Sequence, residues 1–94
     1  MQKWKNYKKA IELYEKLINL YPNSAEAYSN LGNIYNELFQ YRKAEYHLRQ
    51  AIKIDPKFYN ANFNLSSTLK MIGELDEAEI IINKAIFLEP KNIQ

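Results

Sequence analysis

Residues 28–56 read YSNLGNIYNELFQYRKAEYHLRQAIKIDP, and this stretch decides the fold. Its first half carries one apolar stripe at spacings i, i+3, i+4 and i+7, made of Leu31, Ile34, Tyr35 and Leu38. Its second half carries another stripe, made of Ala44, Leu48, Ala51, Ile52 and Ile54. Pro56 then removes a backbone donor and fixes φ, so it ends the second helix. The stretch therefore predicts two amphipathic helices that form a hairpin.

The hairpin is one unit of a repeat. Pro22, Pro56 and Pro90 are spaced by 34 residues, twice over. The same spacing relates three further sets, Ala10/Ala44/Ala78, Ile18/Ile52/Ile86 and Leu20/Ile54/Leu88. The register divides a single domain, 1–94, into a half repeat (1–22), two repeats (23–56 and 57–90) and a tail (91–94). It predicts five helices at about 3–20, 24–37, 41–54, 58–71 and 75–88.

A helical period of 34 residues is typical of tetratricopeptide repeats. The family pattern W-x-x-L-G-x-x-Y, A-x-x-x-F, P occurs here as Tyr28-x-x-Leu31-Gly32-x-x-Tyr35, Ala44-x-x-x-Leu48, Pro56. The next unit is looser, because Asn62 replaces the leading aromatic residue and Ser66 replaces the glycine. The sequence thus resembles this family over nearly its whole length. The resemblance implies an all-α, right-handed α-solenoid of antiparallel helical hairpins.

Small residues and turns fit that architecture. Gly32 and Ala44 stand where two helix backbones approach closely, so a larger side chain there overpacks the hairpin by ~1–3 kcal/mol. Gly73 suits the turn inside the third unit. Phe39 occupies the equivalent place in the second unit, where a small residue is usual. We expect either a tighter turn at Phe39 or a partial merging of the two helices.

The amino-acid composition argues against several classes of partner. The 94 residues are 47% apolar, lack cysteine and carry a net charge of only +2. We therefore expect no nucleic-acid or membrane partner, and the lack of an export signal favours the cytoplasm.

The one histidine, His47, has no second ligand beside it, so no metal is expected. The acidic cluster at 74–79 suits a helix start. No catalytic set or phosphate loop is present, which predicts a non-enzymatic protein without cofactors.

The candidate site follows from the resemblance, which implies that the first helix of each unit lines a concave face. Ten side chains lie opposite or beside the buried stripes of these helices: Glu26, Asn30, Asn33, Glu37, Asn60, Phe63, Asn64, Ser67, Lys70 and Met71. Asn30/Asn64 and Asn33/Ser67 are each one repeat apart and predict two polar rows. An amide both donates and accepts, so such rows suit an extended peptide backbone. An ordinary solvated helix face in an asparagine-rich chain is the competing interpretation.

Two narrower family roles can be compared with the residues. The phrase AYSNLG at 27–32 resembles the arrays of O-GlcNAc transferase, which implies an asparagine ladder at Asn30 and Asn64. Other family members grip a chaperone C-terminal carboxylate, and Asn33 and Asn64 match its asparagines. The lysine expected near Ser29 and the basic residue expected at Asn60 are missing, which argues against a complete carboxylate clamp.

The ends of the stack suggest an alternative function. Solenoids usually need polar caps, and neither end of this chain shows one. Ile80, Ile81 and Phe87 predict an exposed apolar patch, since consecutive residues lie ~100° apart around a helix. Residues 1–20 carry a net +3, whereas 59–94 carry −2. The leading hypothesis is a scaffold that binds an extended peptide or partner segment in the concave groove. The alternative is a self-assembly module that forms homo-oligomers through its uncapped ends.

Overall fold

The computed structural model describes the backbone of residues 2–88 and the side chains of residues 6–88. This part of the chain forms five helices, α1 Gln2–Leu20, α2 Ala25–Glu37, α3 Tyr41–Ile54, α4 Tyr59–Met71 and α5 Leu75–Leu88. They confirm the predicted all-α solenoid of hairpins. Predictions made on Pro90 and on the tail 91–94 lie outside the described residues. None of the described helices is long and apolar enough to span a membrane.

The core runs along the stack rather than within one hairpin. α2 packs on α3 and α4 packs on α5, while α3 joins the second hairpin to the first. The fully buried leucines are Leu31, Leu48, Leu65 and Leu69. Gly32 allows α2 and α3 to approach closely, because a Cβ added to it would lie 2.6 Å from Cγ of Leu48. The small residue at this position therefore sets the α2–α3 spacing, as the pattern predicted.

The two first helices start differently. Ser24 caps α2, since its hydroxyl accepts a hydrogen bond from the backbone N–H of Ala27 at 3.1 Å. α4 has no side-chain cap at Phe58. Instead, Nδ2 of the buried Asn62 donates to the carbonyls of Pro56 (3.2 Å) and Phe58 (2.9 Å). Asn62, which replaces the aromatic residue of the family pattern, thus connects the preceding turn to the start of α4.

The turn at Phe39 differs from both expectations. α2 and α3 do not merge, and the turn has the same three-residue length as the one at Gly73. Both residues have positive φ, +64° and +89°. In both turns an N–H reaches back five residues, from Gln40 to the Tyr35 carbonyl at 2.9 Å and from residue 74 to residue 69 at 2.8 Å. This is the Schellman closure, which explains why glycine is usual there.

We expect Phe39→Gly to raise the free energy of unfolding by about 0.5–1 kcal/mol. Positive φ costs a residue with a Cβ about 1–2 kcal/mol, which exceeds the chain entropy that glycine adds to the unfolded state. The edge contact between the Phe39 and Tyr41 rings, whose centroids lie 6.3 Å apart, offsets part of the gain. Urea unfolding measures the change. Gly73→Ala is the converse control and should lower stability, whereas a destabilised Phe39→Gly would contradict the turn geometry.

Polar contacts link successive hairpins. Thr68 Oγ1 donates to Asn36 Oδ1 at 2.8 Å, directly joining α4 to α2. On the opposite side, Arg49 of α3 donates to Glu77 of α5 at 3.0 Å and to Glu45. The hydrogen bond from Arg49 holds the pKa of the Glu77 carboxyl below its ordinary value. Because these ion-paired side chains are about 41% exposed, the salt bridge orients the helices more than it stabilises them.

Candidate functional site

The ten predicted site residues occupy α2 and α4, the two first helices, which touch each other directly. We call them the inner face: Glu26, Asn30, Asn33 and Glu37 on α2, and Asn60, Phe63, Asn64, Ser67, Lys70 and Met71 on α4. Most of these side chains are exposed, and Asn30 and Asn64 are half-buried. Neither Asn33 nor Asn64 uses its side-chain amide in a hydrogen bond to another described residue.

The two asparagine rows have different surroundings. Asn30 is already engaged, because its Nδ2 donates to the hydroxyl of Tyr14 on α1 at 3.3 Å. Asn33, three residues further along α2, is exposed. Its partner in the next unit, Ser67, is also exposed and its hydroxyl lies 3.4 Å from the Phe63 carbonyl. The Asn33/Ser67 row therefore offers more open donors and acceptors than the Asn30/Asn64 row.

Charge is distributed unevenly over the inner face. Glu26 and Glu37 are exposed on α2, whereas Lys70 is exposed on α4. The Tyr7 hydroxyl of α1 donates to Glu37, and this hydrogen bond raises the pKa of the Tyr7 phenol. Ser29, beside which a carboxylate clamp would need a lysine, is only 2% exposed. The α2 half of the face is thus acidic, and the buried position 29 presents no basic side chain to a ligand.

Three residues of the inner face also line a cavity on the other side of α4, next to α5. Phe63, Ser67 and Lys70 line a cavity of about 430 Å³ between α4 and α5. The other lining residues are Ser66, Leu75, Ala78, Glu79 and Ile82. The lining residues on α5 were not among the predicted site residues. Their register gave a usable signal, because each stands 34 residues after a position of α3 that contributes to the first hairpin.

Aromatic side chains lie on both sides of the stack. On α4, the rings of Tyr59 and Phe63 stack with centroids 5.9 Å apart, and Phe63 is 42% exposed. On the other side, His47 packs against Tyr35 with centroids 5.3 Å apart. The Nδ1 of His47 lies 2.8 Å from the Lys43 carbonyl, so this nitrogen carries the proton. His47 therefore serves packing, while the Tyr59/Phe63 pair adds an apolar surface to the inner face.

The three residues of the predicted self-association patch, Ile80, Ile81 and Phe87, do not share one environment. Ile80 and Phe87 are 67% and 81% exposed and lie seven residues apart, on one face of α5. Ile81 instead packs against the core. The 100° turn between neighbouring residues separates them, so the exposed patch consists of Ile80 and Phe87 without Ile81.

Paired helices, a periodic core and a polar inner face define an α-solenoid of helical hairpins. Two sequence models described as tetratricopeptide repeat match residues 4–57 and 37–94. Each covers more than half of the chain, and together they span nearly all of it. The chain belongs to the tetratricopeptide-repeat family.

Solved structures of the same architecture superpose closely on this chain. The second tetratricopeptide domain of Spaghetti (RPAP3), bound to the HSP90 peptide SRMEEVD, superposes with a TM-score of 0.88 at 28% identity, covering 93% of this chain and 81% of that one. The Arabidopsis OM64 domain gives 0.88 at 28% identity, covering 96% and 74%. The TPR2B domain of yeast Sti1, in its pHsp70 complex, gives 0.87 at 21% identity, covering 95% and 71%. No functionally curated protein matches the sequence significantly.

Proposed function

We propose that this protein is a non-catalytic protein-interaction module that binds an extended peptide or partner segment along its inner face. One observation carries the proposal: Asn33 and Ser67 are exposed polar side chains one repeat apart on adjoining first helices. The Asn33 amide makes no hydrogen bond to another described residue, and the Ser67 hydroxyl donates only to the Phe63 carbonyl of its own helix. A similar solved domain, that of RPAP3, is bound to a peptide, which supports this class of function.

The charges on the inner face indicate which class of peptide it would bind. SRMEEVD, the peptide on the RPAP3 domain, is acidic at its C-terminal end. Here the inner face presents Glu26 and Glu37 on α2, and Ser29 is buried. We infer that the protein takes a neutral or basic extended segment, whose backbone pairs with the amides of Asn33 and Asn64. An asparagine ladder like that of O-GlcNAc transferase arrays remains a prediction, with Asn64 better placed for it than Asn30.

The direct test is binding to a library of extended peptides, followed by affinity measurements on those selected. We expect Asn33→Ala/Asn64→Ala to weaken the affinity for a selected peptide about tenfold. Each lost hydrogen bond contributes ~0.5–1.5 kcal/mol, and ~1.4 kcal/mol corresponds to one factor of ten. Fluorescence anisotropy measures the change.

The matched control is Asn83→Ala, the same substitution at an exposed position of α5 outside the inner face. Its affinity should equal that of the wild type. Equal weakening by both variants would show that the effect is not specific to the inner face. A selection dominated by acidic peptides, or strong binding of SRMEEVD, would contradict the proposed ligand class.

A second candidate function is structural self-assembly, which the exposure of Ile80 and Phe87 favours. Side chains of this size on one solvent-facing stripe mark a contact surface more often than isolated apolar residues do. Ile80→Glu should then reduce the mass measured by light scattering at high protein concentration while leaving peptide affinity unchanged. An unchanged mass would remove this patch from the assembly candidate.

A further inference from the structure

A hollow of about 320 Å³ lies between α1 and α3, with α2 beneath it. We call it the α1–α3 hollow. Its aliphatic floor consists of Ile18 and Leu31, and none of the ten inner-face residues lines it. All of its lining residues belong to α1, α2 and α3, in which α2 packs on both neighbours. Contacts between two successive units therefore shape this hollow, which lies within the stack.

Three aromatic rings form one side of the α1–α3 hollow. The Tyr46 ring stands at 90° to the His47 ring, with centroids 5.0 Å apart. The Tyr28 ring lies on the same histidine, with centroids 6.1 Å apart. Tyr46 is 56% exposed, so a ligand can reach its ring. Because aromatic faces carry partial negative charge, these rings favour a positively charged group.

The α1 side of the hollow adds a carboxylate and an amide. Glu15 and Asn19 are exposed and lie four residues apart, one turn of the helix. Neither side chain forms a hydrogen bond or ion pair with another described residue, and no lysine or arginine lines the hollow. Burial, and then the charge of Glu15, raise the pKa of the Tyr35 phenol, whose ring packs against His47. The negative charge of Glu15 thus acts on the aromatic cluster from the neighbouring helix.

The same aromatic cluster already holds one cation of the chain itself. The Nζ of Lys43 lies 5.4 Å from the centroid of the Tyr35 ring. Lys43 does not line the hollow, and no described cation lies over the Tyr28 or Tyr46 ring. The hollow therefore combines aromatic faces and a carboxylate, and its positive partner is not supplied by the described residues.

We propose that the α1–α3 hollow binds an arginine side chain of a partner peptide or protein. The guanidinium stacks on the exposed Tyr46 ring and donates hydrogen bonds to the Glu15 carboxylate and the Asn19 amide oxygen. Arginine suits these groups better than lysine, because a planar guanidinium stacks on rings, donates to several acceptors at once and is less strongly hydrated. The volume lies near the lower end of the ~300–1,000 Å³ of ligand pockets, which suits a single side chain. This site is separate from the inner face and does not depend on peptide binding there.

The test is an amide chemical-shift titration with two matched peptides. The first is an end-capped alanine pentapeptide with arginine at its centre, and the second carries citrulline, which has the same shape without the charge. We expect the arginine peptide to shift residues around Glu15, Tyr46 and His47. The citrulline peptide should bind about tenfold more weakly, since it loses both the ion pair and the cation–π contact. An inner-face peptide without arginine should leave the Tyr46 amide unshifted.

Variants of the protein separate the two contributions. Glu15→Gln should weaken the arginine peptide about threefold to fivefold, the range of an exposed ion pair. Glu12→Gln makes the same change of charge at an exposed position of α1 outside the hollow and should leave the affinity unchanged. Tyr46→Leu should weaken binding about twofold to fivefold, whereas Tyr46→Phe, which keeps the ring, should restore it. Both mutated side chains of the hollow are exposed, so all variants should keep wild-type circular dichroism.

Several results would overturn the proposal. These are equal affinity for the arginine and citrulline peptides, equal effects of Glu15→Gln and Glu12→Gln, and wild-type affinity in Tyr46→Leu. Tighter binding of the matched lysine peptide would assign the hollow to an ammonium group instead. Loss of arginine-peptide binding in Asn33→Ala/Asn64→Ala, with shifts confined to α2 and α4, would place the arginine on the inner face and also contradict it.

Discussion

Leu48→Ala should lower the free energy of unfolding by about 2–5 kcal/mol, the largest effect we expect from a single substitution. Leu48 is 0% exposed and packs where α2 meets α3, in the cluster that continues into α4. Truncation loses the transfer energy of its buried methyl groups and leaves a cavity that helices on two sides cannot easily close. Urea denaturation followed by circular dichroism measures the loss.

Ile86→Ala is the control for that measurement. It also truncates an aliphatic residue in a helix, but Ile86 is 55% exposed. Its cost should stay below about 1 kcal/mol, because surface substitutions seldom exceed that value. Equal costs for Leu48→Ala and Ile86→Ala would mean that the core does not run through α3 as described.

Gly32→Ala should destabilise the protein by about 1–3 kcal/mol, although alanine is the better helix former. The new Cβ would lie 2.6 and 2.9 Å from two side-chain atoms of Leu48 and 3.3 Å from the Ala44 carbonyl oxygen. Overpacking of this kind displaces side chain and backbone together. It outweighs the ~1 kcal/mol by which alanine exceeds glycine in helix propensity.

The next repeat supplies a matched comparison for Gly32→Ala. Ser66, the equivalent position, already carries a Cβ, so Ser66→Ala should cost only the hydrogen bond from its hydroxyl to the Phe63 carbonyl at 2.7 Å. In the Leu48→Ala background, Gly32→Ala should become much less harmful, because its main clash is gone. Additive effects of Gly32→Ala and Leu48→Ala would contradict direct contact between these positions.

The helices were predictable because their signals are local. Apolar periodicity and the spacing of the prolines predicted α2 at 24–37 and α4 at 58–71, against Ala25–Glu37 and Tyr59–Met71 in the structure. Ser24 lies beside Pro22 and supplies the cap that begins α2. A 34-residue period also carries tertiary information, since each unit packs on the next in the same way.

The turn at Phe39 was not predictable from local signals. Phenylalanine rarely takes positive φ, so its presence suggested an altered turn. The hydrogen bond from Gln40 to Tyr35 and the packing of α2 on α3 nevertheless impose the same closure that Gly73 adopts without strain. Tertiary packing here overrides the preference of one residue.

Site residues were predictable as a face but not as individual environments. Periodicity places Asn30 and Asn33 on one side of α2, yet only the packed α1 helix shows that Asn30 donates to Tyr14. In the same way, Phe63 and Lys70 were assigned to the inner face, but they also line the cavity between α4 and α5. The repeat period indicates that each unit packs on the next, but it does not report which individual side chains then pair or share a cavity.

Binding of an extended peptide along the inner face is tested most directly by mapping amide chemical shifts of the protein on titration with a selected peptide. We predict that the largest shifts fall on α2 and α4, centred on Asn33, Asn64 and Ser67, and that residues of α3 such as Tyr46 change little. Largest shifts on α3, or only at the exposed faces of α1 and α5, would contradict binding along the inner face.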